Sequence, residues 1–193
     1  MVSVLRSWKG HSTFFDAIRL LRDSGRDFQY VVVGGGVPAE IYQEKAQSHG
    51  VGDCVKFTGH REDIAEVLRA LNVLCIPSLK HEGVPQIGLQ ALACGTPVVG
   101  SDCGGIPEII LDGRTGRIFP TGDAAAMAAR IAAAVDEQAH TQQMSRAGRA
   151  LVEREHSLDT MIDHLTALYQ RHLAPARSQP SPTRMTAVTA FGQ

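Results

Sequence analysis

The stretch Asn72-Val-Leu-Cys-Ile-Pro-Ser-Leu-Lys-His-Glu-Gly-Val-Pro-Gln-Ile-Gly-Leu-Gln-Ala-Leu-Ala-Cys-Gly-Thr-Pro-Val-Val-Gly100 decides the fold class. It opens on an apolar run, Asn72–Ile76, and closes on another, Pro97–Gly100. Between them Val84–Cys94 has helical spacing, with Pro85 suited to an early helical position. Two short strands, apolar on both faces and joined by a helix, read as one unit of a parallel sheet covered on each side. The same rhythm extends toward the N-terminus. Val2–Leu5, Phe28–Val33 and Cys54–Phe57 read as strands, with helices over about 12–23, 38–48 and 62–70. Beyond Gly100 the spacing predicts a short helix at Ile106–Leu111 and a last strand at Thr115–Phe119. Three helices follow at about 123–136, 140–154 and 158–172, with Ser157 capping the last. The fold class is therefore α/β, a doubly wound parallel sheet. From Ala174 the chain is rich in Pro, Ser and Thr, so 174–193 is expected to be a disordered tail.

Composition narrows the function. The 193 residues suit one domain with a proper core, and 19 basic against 20 acidic residues leave a net charge of −1. That balance argues against nucleic acid as a partner, because phosphate-tracking surfaces cluster Lys and Arg. No apolar run approaches a membrane span, and Met1–Arg6 does not read as a signal peptide. Cys54, Cys75, Cys94 and Cys103 fall singly, which points to reduced, mostly packed thiols and no zinc site.

Ligands of open α/β sheets bind beyond the carboxyl ends of the strands. Five consecutive loops carry glycine or charge at those ends. They hold Arg6, Lys9 and Gly10; then Gly34, Gly35 and Gly36; then Gly59, His60 and Arg61; then Ser78 to Gly83; then Asp102, Gly104 and Gly105. One such loop alone is explained as well by the closing of a tight turn, but five together point to a cleft. Gly34-Gly-Gly36-Val-Pro-Ala39 fits the dinucleotide pattern formally. It follows the second strand, however, and no acid for a ribose hydroxyl comes after the next one, so NAD and FAD are not expected. A P-loop is absent.

Within His81–Gln90, Gly83 lets the backbone approach a ligand, and the helix N-terminus at Pro85 makes an anion site suited to a diphosphate. Lys9 and Arg6, on the first loop, supply counter-charge. Two readings stay open for Glu82: an acid that complements the helix dipole, or a carboxylate accepting hydrogen bonds from sugar hydroxyls.

These residues carry a resemblance. The segments Val31–Gly36, Val55–Gly59, Cys75–Ser78, Glu82–Gln86, Gln90–Val99, Ser101–Glu108, Asp112–Gly116 and Phe119–Asp123 look like the C-terminal domain of a GT-B fold glycosyltransferase of family 4. That is the retaining class that uses nucleoside-diphosphate sugars. Arg6–His11 resembles the Lys-Gly loop that opens the domain. The resemblance implies a Rossmann-like sheet, a single C-terminal half of the GT-B fold, with extra C-terminal helices to Leu173. It implies that Lys9 and Arg6 neutralise the leaving diphosphate and that Glu82 positions the sugar. The backbone of Gly83, Val84, Pro85 and Gln86 would hold donor diphosphate and sugar, while His60 and Arg61 border the base beside the Gly34-Gly35 loop. Cations and a helix terminus do the electrostatic work, so neither metal nor cofactor is expected, and there is no Asp-x-Asp motif.

Three departures stand out. Gln90 replaces the family's ribose-binding second glutamate, and an amide retains an altered contact. The first strand reads Ser3-Val4-Leu5 and lacks the usual arginine, leaving Arg6 to substitute. By the resemblance, the chain is expected to lack the family's N-terminal, acceptor-binding domain. The expected activity is thus that of the donor-binding half of a glycosyltransferase, acting on a glycan, lipid or polysaccharide precursor with an N-terminal half supplied in trans. Its expected place is the cytoplasm or the inner face of the membrane. A non-catalytic nucleotide-sugar-binding or interaction module is the alternative. The apolar face of the last helix is expected as core, or as an exposed associating patch where the other domain is absent.

Overall fold

The computed structural model describes residues 1–173. The tail expected at 174–193 lies outside the described residues. A 3-10 turn at Ser7–Lys9 leads into α1 (His11–Asp23). Then come β1 (Tyr30–Val33), α2 (Ala39–Ser48), β2 (Val55–Gly59), α3 (Ile64–Ala70), β3 (Leu74–Ile76), α4 (Gln86–Cys94) and β4 (Val98–Ser101). The order ends with α5 (Ile106–Ile109), β5 (Arg117–Phe119), α6 (Ala124–Asp136), α7 (Gln138–Glu155) and α8 (Leu158–Leu173). Every strand pair is parallel: β1 with β2, and β3–β4–β5 in that order.

The expected first strand, Val2–Leu5, is a correction in detail. It runs parallel beside β1 but holds only isolated bridges, Val2 to Val33 and Leu5 to Gly36. The amides of Ser3 and Leu5 donate to the carbonyls of Val33 and Gly35 at 2.9 and 2.7 Å. The chain curves into the turn at Ser7 before a regular ladder can form.

Alternation along the strands builds two cores, as a sheet wound on both sides requires. Tyr30, Val32, Cys75, Val99 and Phe119 face α1, α2 and α6, where they meet Phe14, Phe15, Tyr42 and Met127. Val33, Leu74, Ile76 and Val98 face the other way, against Leu68, Leu92, Ile106, Ile109 and Val152 from α3, α4, α5 and α7. The aromatic side chains collect on the first face and the branched aliphatic ones on the second. Phe15 is fully buried, and truncating such a side chain to alanine costs about 3–5 kcal/mol.

Helix starts fall slightly later than their prolines suggest. Pro38 and Pro85 sit just outside their helices, as N-caps, because both have extended ψ (130° and 116°). Asp123 caps α6, its carboxylate accepting from the Ala126 amide at 2.8 Å. The last strand begins at Arg117 rather than Thr115, because the Thr115 hydroxyl is tied into a turn with the Ile109 carbonyl and the Leu111 amide.

The compact unit runs from Met1 to Ser157, and α8 belongs to a second unit beginning at Leu158. No residue of α8 is buried, so the expectation that its apolar face is core does not hold. Leu158, Met161, Ile162, Leu165 and Leu168 are all exposed. All four cysteines are free thiols.

Candidate functional site

The site grows from the loop after Leu5. Gly10 adopts the left-handed conformation (φ 74°), which ends the 3-10 turn and opens α1. A Cβ there would stand 1.7 Å from the Pro77 carbonyl oxygen, so only glycine lets this turn rest against the end of β3. The Leu79 amide donates to the Trp8 carbonyl at 2.7 Å, and the Trp8 ring meets His81 edge-on at 6.4 Å. Trp8 therefore ties the first loop to the fourth. The tie delivers Lys9 to Glu82: its ammonium donates to both carboxylate oxygens, at 2.7 and 3.0 Å. The Glu82 side chain is only 8% exposed and that of Lys9 21%.

Glu82 is held from behind as well. The Ser78 hydroxyl donates to its carboxylate, and the Ser78 carbonyl accepts from the Ser101 hydroxyl at 2.7 Å. The Gly105 amide donates to the Glu82 carbonyl at 3.1 Å. Gly104 lies so close to that carbonyl that a Cβ would reach to 1.9 Å of its oxygen. His81 itself sits at φ 56°, a conformation non-glycine residues adopt at a cost of about 1–2 kcal/mol. The loop is over-determined by its contacts and strained within them, a combination that goes with functional sites.

Lys9 and Glu82 stand in a cleft of about 710 Å³ at the carboxyl ends of the strands. One wall is the chain at Met1–Val4, with Val33, Gly34, Gly35 and Gly36; another holds His60, Arg61 and Ile64; the floor runs from Ile76 to Ser78 and on to Val84, Pro85, Gln86 and Ile87. Gly34 has φ 140°, and a Cβ would meet the Ser3 carbonyl at 1.9 Å. The first-turn amides of α4, at Gln86 and Ile87, lack intrahelical partners by helix geometry, and both residues line the cleft.

Of the residues singled out in the sequence, Lys9, Gly34, Gly35, His60, Arg61, Glu82, Val84, Pro85 and Gln86 line this one cleft. Arg6, Gly83 and Gln90 are not in its lining. Arg6 is exposed, with its guanidinium 5.8 Å from the Trp8 ring centroid. Gly83 lies between two lining residues, with open space where a Cβ would be. Gln90 is exposed on α4, four residues and so one turn beyond Gln86. Arg61 is engaged with Asp63, its Nε donating at 2.8 Å. That contact holds the Asp63 carboxyl below its ordinary range. Asp102 accepts from both the amide and the hydroxyl of Thr121, which lowers its pKa and makes it a loop brace.

Ser78 and Ser101 were not foreseen as supports of Glu82. The only sequence signal is that Ser78 closes the Cys75–Ser78 segment. His11, buried at the start of α1, was also missed. Burial drives its pKa down to about 4, opposed only in part by the nearby Arg6 backbone. No group of three or more His, Cys, Asp or Glu among the described residues is placed to hold a metal ion. No described helix is long and apolar enough to cross a membrane.

A second cleft, of about 1060 Å³, opens at the opposite end of the strands. Phe14, Phe28, Tyr30, Val73 and Ile131 line it, with Thr141, Arg146 and Arg149 of α7. The Tyr30 and Thr141 hydroxyls are buried there without partners.

Parallel strands covered by helices on both faces, with a cleft at their carboxyl ends, define an α/β domain of the GT-B type. The comparisons with known proteins agree. Residues 1–151 match the family described as glycosyl transferases group 1, and the chain belongs to that family. It is 32% identical over 178 residues to the amylovoran biosynthesis glycosyltransferase AmsK of Erwinia amylovora, covering 88% of this chain and 44% of that protein. It is 30% identical over 148 residues to a phosphatidyl-myo-inositol mannosyltransferase of Mycobacterium leprae, covering 76% and 39%. The fold is similar to that of HepE from Anabaena, solved in complex with UDP, with a TM-score of 0.79 at 21% identity, covering 88% of this chain and 47% of that one. The chain thus spans less than half the length of the curated relatives it matches.

Proposed function

We propose that the chain is the donor-binding half of a retaining family 4 glycosyltransferase, holding a nucleoside-diphosphate sugar in the cleft at Lys9 and Glu82. The observation that carries this is the bidentate Lys9–Glu82 pair beside the N-terminus of α4. A cation and free amides suit a diphosphate, and a carboxylate one step away suits sugar hydroxyls. Lys9 and the α4 dipole, helped by Arg6, offset the charge that grows on the leaving diphosphate, so the chemistry asks for no metal. The backbone of Gly83–Gln86 holds the diphosphate and sugar. The base lies toward Gly34, Gly35, His60 and Arg61, and Gln90 reaches the ribose with an amide. The acceptor, a glycan, lipid or polysaccharide precursor, is held by an N-terminal half that completes the cleft, in trans where it is a separate chain. The reaction then takes place in the cytoplasm or at the inner face of the membrane.

The alternative reading is a non-catalytic nucleotide-sugar-binding or interaction module. Donor hydrolysis or transfer on adding an N-terminal half separates the two. The donor site itself is tested by thermal-shift titration with UDP, GDP, ADP and NAD. A ligand at 100 times its dissociation constant stabilises by about 2.7 kcal/mol, or several degrees in a domain this size. One nucleoside diphosphate is expected to raise the midpoint and NAD to leave it unchanged. Cooperative melting that no nucleotide shifts contradicts the donor site.

A further inference from the structure

Building on that donor-site reading, we propose that the Lys9–Glu82 pair makes the cleft prefer the intact sugar donor to the spent nucleoside diphosphate. The preference follows from which partner can move. Glu82 is fixed: Ser78 donates to its carboxylate, Ser101 braces Ser78, and the Gly105 amide and the close approach of Gly104 hold its backbone. Lys9 is a compact charge on a flexible stem, at the last residue of a short turn. Its ammonium is spent on Glu82, at 2.7 and 3.0 Å.

A diphosphate seated at the α4 N-terminus draws Lys9 away. Glu82, 8% exposed, is then left with Ser78 and little water. A buried carboxylate stripped of a charged partner is costly. Bare diphosphate offers nothing to replace the ammonium. The sugar of an intact donor does, because its hydroxyls donate to the carboxylate oxygens that Lys9 vacates. Once the sugar has left, the deficit returns, and re-forming the pair expels the diphosphate. Glu82 thus sets the ratio between the two dissociation constants as well as orienting a sugar.

The test is calorimetric titration of UDP, GDP and ADP and of their glucose and mannose conjugates. It uses the wild-type chain, Glu82→Gln, Ser78→Ala and Lys9→Met, each first shown to melt cooperatively. In Glu82→Gln the ammonium is released, so bare diphosphate binds about tenfold tighter while the conjugate binds no tighter, and the preference for donor collapses. Ser78→Ala moves it the opposite way, because Glu82 depends more on what replaces Lys9: bare diphosphate weakens severalfold and the conjugate less. Lys9→Met weakens both. The inference is overturned where wild type binds diphosphate but Glu82→Gln leaves that affinity unchanged, or lowers both affinities equally. If Glu82→Gln does not fold, a Ser78→Ala ratio equal to wild type overturns it instead. If wild type binds no nucleotide at all, the donor site beneath it falls too.

Discussion

The two ends of the parallel strands are built on opposite terms. At the carboxyl end, Lys9, Ser78, Glu82 and Ser101 form one connected hydrogen-bonded set, and of the described polar side chains lining that cleft the Ser3 hydroxyl is the one buried without a partner. The backbone there is strained at His81 and close-packed at Gly10, Gly34 and Gly104. At the amino end, the cleft beneath Tyr30 and Thr141 is larger, yet their hydroxyls find no partner. Size alone would choose the other cleft. A charged pair held in place at a helix N-terminus is the stronger mark of a binding site, because keeping it there costs free energy that packing alone does not return.

The sharpest way to break this contrast is to remove the space that the carboxyl end depends on. Gly10→Ala forces a Cβ toward the Pro77 carbonyl at positive φ. It should cost about 3–5 kcal/mol, read as a lowered urea midpoint with loss of any nucleotide shift. Unchanged stability would mean the turn is not pinned.

Acid should act next. His11 is held neutral by burial, its pKa about 4 against an ordinary 6.5. The unfolded chain therefore binds a proton that the folded chain refuses. Stability is full above pH 6.5 and falls as the pH drops toward 4, by up to about 3 kcal/mol. Urea midpoints at pH 7.5 and 5 should differ, and His11→Leu should flatten that dependence.

Lys9→Met should weaken diphosphate binding about tenfold or more in calorimetry, and it should lower the melting temperature too, because it leaves the largely buried Glu82 carboxylate without its charged partner. The smallest effect is expected at the amino end and has the opposite sign. Tyr30→Phe and Thr141→Val remove unpartnered buried hydroxyls, so each should be neutral or stabilising by about 1 kcal/mol. A clear loss at either position would show that these hydroxyls bind something, and would undo the comparison.

The fold was legible because Val31–Val33, Leu74–Ile76 and Val98–Val99 are apolar on both faces, which only a covered parallel sheet uses. The cleft was legible because glycine and charge gather in the loops at one end of those strands. What stayed hidden was pairing over distance. Lys9 and Glu82 lie 73 positions apart, and nothing in either segment says that they touch. Ser78 and Ser101 look like ordinary loop and strand polar residues until the backbone stacks β3 beside β4. The apolar spacing of α8 misled for a related reason: period shows that a helix has an apolar face, but not what that face meets.

The most direct measurement of the central claim is a nitrogen-15 correlation spectrum of the chain, titrated with whichever nucleoside diphosphate raises its melting point. The account predicts that the largest shifts fall on the amides of Gly34–Gly36 and Val84–Ile87 (apart from Pro85), with Lys9 and Glu82 following. Shifts centred instead on Phe28–Tyr30 and Thr141–Ser145 would place the ligand at the other end of the sheet and contradict it.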